Sequence, residues 1–158
     1  MPAASEPGVP ALPHTWRPVG VRVVGIALGL ALVVICAAAW FTFDAETRAR
    51  FTFLQRATLV GIGVLAFGVM HALTRSRVVA TRERLVVVNG YRRRELEWAQ
   101  VVGVHLPAGA PWVTLDLADG STLPAMGIQG SDGGSARRAA RQLRALVDAP
   151  PAPPAPPA

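Results

Sequence analysis

The sequence predicts a membrane α-helical hairpin followed by a small β-barrel-like domain, its antiparallel strands capped by one C-terminal α-helix. Three observations carry this expectation. Two apolar runs, residues 23–43 and 57–73, flank one short charged spacer. After residue 75 the apolar blocks give way to short alternating stretches punctuated by Asn89-Gly90 and Asp119-Gly120. Near the end, an Ala- and Arg-rich segment repeats its apolar residues at helical spacing.

Residues 1–18 are rich in Pro, Ala and Gly without apolar periodicity, and read as a disordered tail. The helical hairpin is expected over 19–74. At about 1.5 Å per residue, each apolar run suits a hydrocarbon core of about 30 Å. Arg17, Arg22 and the small residues Ala37-Ala38-Ala39 also fit a cleaved signal peptide. The first run is longer than a usual signal core, and a second follows almost at once, so the expectation is an anchor. Trp16, Trp40, Phe41, Phe43, Phe51 and Phe53 cluster near the run ends, where amphipathic rings favour the membrane interface.

Arg17 and Arg22 before the first run, with Arg75, Arg77, Arg82 and Arg84 after the second, outnumber Arg48, Arg50 and Arg56 of the spacer by six to three. By the positive-inside rule both termini face the cytoplasm, in a multi-pass protein of the plasma membrane. Gly25 and Gly29 form a GxxxG pair that lets a second helix approach. Ala57, Gly61 and Gly68 offer a matching surface within the hairpin, and a second copy of the chain is the alternative partner. The single cysteine, Cys36, permits no disulfide within the chain, and no Cys/His set has metal-ligand spacing. No cofactor is expected.

Residues 75–148 form the expected domain. Arg77–Ala80 and Leu85–Val88 read as strands, and Asn89-Gly90 suits a type I′ hairpin turn returning along Tyr91–Glu97. Val101–Leu106, Trp112–Leu117 and Ser121–Met126 follow, the last two joined at Asp119-Gly120. Ser131 and Asp132 are good N-caps for a helix burying Ala136, Ala139, Ala140, Leu143, Leu146 and Val147. Residues 149–158 are a Pro/Ala-rich disordered tail.

The stretch RVVATRERLVVVNGYRRRELEWAQVVGVHL, followed by PWVTLDLADGSTLPAMGIQ and the terminal helix, resembles the bacterial PH domain family. Within it, the chain is similar to small actinobacterial membrane proteins with two transmembrane helices before a PH domain, of the low-molecular-weight protein antigen type. Leu96-Glu97-Trp98 and the segment 112–120 carry most of the likeness. The resemblance implies a PH-like fold and no catalytic motif. Fold alone assigns no ligand.

The formal net charge is +6, and all 16 basic residues are arginine. Together with the Ala, Val, Gly and Pro richness this fits a GC-rich coding bias. The candidate lipid or ligand contacts are Arg92, Arg93 and Arg94 beyond the first turn, and Arg75, Arg77, Arg82 and Arg84 beyond the second helix. Guanidinium forks suit phosphate oxygens. In a strand, Arg92 and Arg94 share one face and Arg93 takes the other. Trp98 is expected in the core, and His105 has no acidic neighbour at useful spacing. Nucleophile elbow, HExxH, P-loop and GxGxxG are all missing, so catalytic residues are not expected. Nucleic acid is not an expected partner. The expected function is a non-catalytic, membrane-anchored module that recruits or scaffolds a protein, with a homo-oligomer as one arrangement. The alternatives are an anionic-lipid sensor and an accessory subunit of a larger membrane complex.

Overall fold

A computed structural model describes residues 9–152. Strand β1 (His14–Trp16) precedes helices α1 (Val19–Thr42), α2 (Ala45–Arg50) and α3 (Phe53–Arg75). Six strands follow: β2 (Arg77–Ala80), β3 (Arg84–Asn89), β4 (Arg92–Glu97), β5 (Val101–His105), β6 (Trp112–Leu117) and β7 (Thr122–Gln129). Helix α4 (Gly134–Asp148) ends the domain, and short 3-10 turns occupy Trp98–Gln100 and Gly130–Asp132.

All strand pairs are antiparallel, in two sheets ordered β1-β2-β3-β4 and β5-β6-β7. The barrel-like arrangement expected from the sequence is present as two antiparallel sheets under a C-terminal helix, and it is not a closed barrel. The 3-10 turn at Trp98–Gln100 separates β4 from β5, and the chain changes sheet there. Gly127 lets β7 pass close over β2. A Cβ at that position would sit 2.6 Å from the Val78 backbone nitrogen.

Alternation along β2, β3 and β6 delivers Val78, Ala80, Leu85, Val87, Val113 and Leu115 to one core. Helix α4 covers it with Ala136, Ala139, Ala140, Leu143 and Leu146. Trp98 is buried as expected, and its indole N–H donates to the Thr81 carbonyl at 3.1 Å. It reaches the core from the 3-10 turn rather than from a strand.

The tail expected over 1–18 is also corrected. His14–Trp16 pairs with β2, with Trp16 opposite Val78. Trp16 is buried, and its indole N–H donates to Gln142 Oε1 at 3.2 Å. Residues 1–8 of that tail, and 153–158 of the Pro/Ala tail, lie outside the described residues.

The first domain turn differs in register from the expectation. Asn89 pairs with Arg92, so Gly90 and Tyr91 are the central residues, and only Gly90 has positive φ, at 61°. That fits a type II′ rather than a type I′ turn. Asn89 is freed to bridge the two sheets. Its side chain donates to the Pro124 carbonyl at 2.5 Å and accepts from the Met126 N–H at 3.0 Å.

Helices α1 and α3 are almost wholly exposed; Gly25 is the one buried residue of either. They are 24 and 23 residues long, and their most apolar 18-residue stretches have mean hydropathies of 2.6 and 1.8, long and apolar enough to cross a membrane. At the spacer end, Phe51 stacks near Trp40 and Phe43, and the Arg56 guanidinium lies 5.3 Å from the Trp40 ring centre. Thr52 and Gln55 form a capping box at the start of α3.

Candidate functional site

The end of the hairpin that meets the domain is tied to it by polar contacts from distant parts of the chain. Asp132, expected to cap the last helix, instead caps α1. Its carboxylate accepts from the Gly20 N–H at 3.0 Å and the Val19 N–H at 3.3 Å. Ser76 accepts from the Gly90 N–H at 3.0 Å, setting the β3–β4 turn against the end of α3. His71 Nδ1 and the Tyr91 hydroxyl share a hydrogen bond of 2.9 Å, and the Arg75 guanidinium lies 5.8 Å from the Tyr91 ring centre.

This junction divides six of the seven candidate arginines into three pairs. Arg75 and Arg77 line a cleft of about 310 Å³ with Arg17, Arg22, His71 and Thr74. Arg92 and Arg94 face the seam between the sheets, over Val87, Leu123 and Met126. Arg82 and Arg84 lie at the β2–β3 turn, the opposite end of those strands from the helices. They were expected beside the membrane because they follow the second apolar run closely in sequence. Four residues of β2 carry them away from it.

Arg93 points opposite to Arg92 and Arg94, as the strand period requires. It pairs with Glu95 at 2.6 Å, and Arg84 reaches the same carboxylate at 2.5 Å. The Arg84 hydrogen bond, reinforced by the Arg93 charge, holds the Glu95 carboxyl below its ordinary range. The same bond raises Arg84. Two of the seven arginine candidates are thus engaged with acid, Arg84 at the far end of the domain and Arg93 farther along β4 toward the β3–β4 turn.

Of the packing candidates, Gly25 lies directly against Met70, so a Cβ there would collide with the Met70 sulfur. A Cβ at Gly29, Gly61 or Gly68 would meet nothing within 4 Å. Sequence reasoning missed one acid–base pair: His105 Nε2 lies 2.6 Å from Asp116 Oδ2 across β5 and β6. Gly103, opposite Asp116, leaves room for it. The signal was a cross-strand register, which sequence spacing does not supply. Among the described residues, no three His, Cys, Asp or Glu side chains are grouped to hold a metal ion.

Residues 75–146 match a family model described as "Bacterial PH domain". Uncharacterized proteins of Mycobacterium bovis and Mycobacterium tuberculosis are 31% identical to the chain over 78 residues, 49% of this chain and 51% of theirs. The chain therefore spans about half the length of the curated relatives it matches. No solved structure matches it. The family match runs from the end of α3 through nearly all of α4, over strands β2 to β7 and their covering helix, and over this portion the chain is similar to the bacterial PH domain family.

Proposed function

We propose that the chain is a non-catalytic PH-like module anchored in the cell membrane by residues 19–74, with both termini and the domain at the cytoplasmic face. It holds the domain, residues 75–148 completed by β1, in a fixed pose and offers its far end to a protein partner. The observation that carries this reading is the junction. Two helices with exposed apolar surfaces are joined to the domain by Asp132, Ser76, Tyr91 and the β1–β2 pairing. Side chains such as Leu28, Val34, Leu59 and Phe67 are more than half exposed, an apolar surface far beyond what a water-soluble protein carries.

Charge supports the orientation. At the domain end of the hairpin stand Arg17, Arg22, Arg75 and Arg77, against Arg48, Arg50 and Arg56 in the spacer. The far end of the domain mixes both signs, with Arg82, Glu83, Arg84, Glu95 and Glu97 around one shallow depression. Alternating charge of that kind suits a complementary protein surface better than a uniformly anionic one.

The single cysteine makes the test direct. In a Cys36→Ser background, Ala49→Cys in the spacer reacts with a membrane-impermeant maleimide on intact cells. Ala118→Cys in the β6–β7 turn reacts only after permeabilisation. The reverse pattern overturns the orientation, and release of the full chain by alkaline carbonate overturns the anchor. A photocrosslinker at Arg93 gives a discrete protein adduct that Glu95→Arg weakens. No adduct from Arg82, Arg93 or Glu97 removes protein recruitment through this face.

A further inference from the structure

We propose that the cleft between the domain-side ends of α1 and α3 is a binding site for the phosphate of an anionic phospholipid headgroup. Arg17 enters it from the link between β1 and α1, and Arg22 from the start of α1. His71, Thr74 and Arg75 come from the end of α3, and Arg77 from the first residue of β2. Four guanidiniums therefore converge from segments more than 50 residues apart in the chain.

Their grouping sets them apart: among the described residues, four arginines and no carboxylate line one cleft. Arg50, Arg84 and Arg93 each have a carboxylate within salt-bridge distance. Among the described residues, none of Arg17, Arg22, Arg75 and Arg77 has a carboxylate oxygen within 4.0 Å. Asp132, close by in the fold, is occupied by the two α1 amides. Like charges around one cleft repel one another unless an anion lies between them.

Guanidinium forks match phosphate oxygens bidentately, and the cleft, about 310 Å³, has room for a phosphate with the start of its ester substituents. Tyr91 is a positioning residue: it fixes His71 by hydrogen bond and lies beneath Arg75. The level of the cleft selects the source of the phosphate. It lies where both apolar helices end, so an anchored chain holds it in the headgroup layer. This inference rests on the membrane anchoring proposed above, though not on protein recruitment.

The test uses the full chain, purified in neutral detergent and offered mixed micelles of phosphatidylglycerol and phosphatidylcholine. Native mass spectrometry counts the lipid retained. Phosphatidylglycerol is expected to be retained selectively. Arg22→Gln with Arg77→Gln should weaken that retention about thirtyfold, the loss expected of two arginines at an anionic surface. Arg17→Gln with Arg75→Gln reads the same cleft from its other side, and Arg82→Gln with Arg84→Gln should change nothing. Thermal unfolding in lipid-free micelles confirms that each variant is folded. Equal retention of the two lipids, or full retention by both folded cleft variants, overturns the site. Displacement of the lipid by millimolar inorganic phosphate reassigns it to a free anion and overturns the lipid source. Carbonate extraction of the same variants separates these outcomes from failure of the anchor, because loss of the cleft leaves the protein in the membrane.

Discussion

Glu95 stands between two guanidiniums, Arg84 reaching diagonally from β3 and Arg93 on its own strand. Such a pair is visible in sequence only when the partner is local. Arg93 was legible as a neighbour two residues away, while Arg84 depends on the β3–β4 register. The sign of the effect on stability follows from the lowered carboxyl. Its contribution is complete above the ordinary value of 4.5 and is lost as pH falls through the lower folded value. Glu95→Gln should therefore flatten the acid limb of a plot of thermal midpoint against pH below about 4.5, the range in which an ordinary glutamate titrates. All three groups are exposed, so the change is small and is read from the slope. An acid limb as steep in the variant as in the native chain would assign the acid sensitivity elsewhere. His105 and Asp116 teach the same lesson, since each looked solitary until β5 and β6 were laid side by side.

At the scale of elements, periodicity carried most of the fold. The four-residue β2, the alternating β6 and the amphipathic α4 agree closely with expectation because each buries one face against a single partner layer. What periodicity did not carry is the use made of each residue. GxxxG marked two glycines as equivalent, yet only Gly25 meets the other helix, because the hairpin is tight near Met70 and Gly29 faces open space. Gly25→Leu should force Met70 aside and destabilise the full chain in micelles by about 1–3 kcal/mol, as overpacking does. Gly29→Leu should leave the thermal midpoint unchanged. Equal losses from both would mean that the helices pack along their length. A crosslinked dimer lost only in Gly29→Leu would place that face between copies of the chain. The candidate cleft was half legible for a similar reason. Arg75 and Arg77 stood out beside the membrane segment, whereas Arg17 and Arg22 looked only like topology signals until the fold brought the two ends of the hairpin together.

For the whole molecule, the main departure from the sequence reading is that the helical hairpin is an insertion between two paired strands. β1 precedes the helices and β2 follows them, and Trp16 lies opposite Val78 across their ladder. A three-residue strand with prolines at positions 13 and 18 is too short for a period-2 signal, and so it read as tail. The arrangement ties both ends of the hairpin to one sheet, which is how an anchor fixes the pose of the domain it carries. A fragment of residues 75–152 should therefore be a poor domain. It leaves the β2 edge unpaired and loses the burial of Trp16, a deletion worth about 3–5 kcal/mol by comparison with large-to-small core changes. That is a large share of the roughly 5–15 kcal/mol that holds a typical domain together. Joining residues 9–18 to 75–152 through a short Gly/Ser linker in place of the helices should restore the missing strand, because the two ends already lie side by side. The spliced chain is expected to run as a monomer on size exclusion and to unfold cooperatively. The bare fragment should associate or unfold at markedly lower denaturant. Should the bare fragment match the spliced chain in both respects, β1 is dispensable, and the hairpin holds the domain through Asp132, Ser76 and Tyr91 alone.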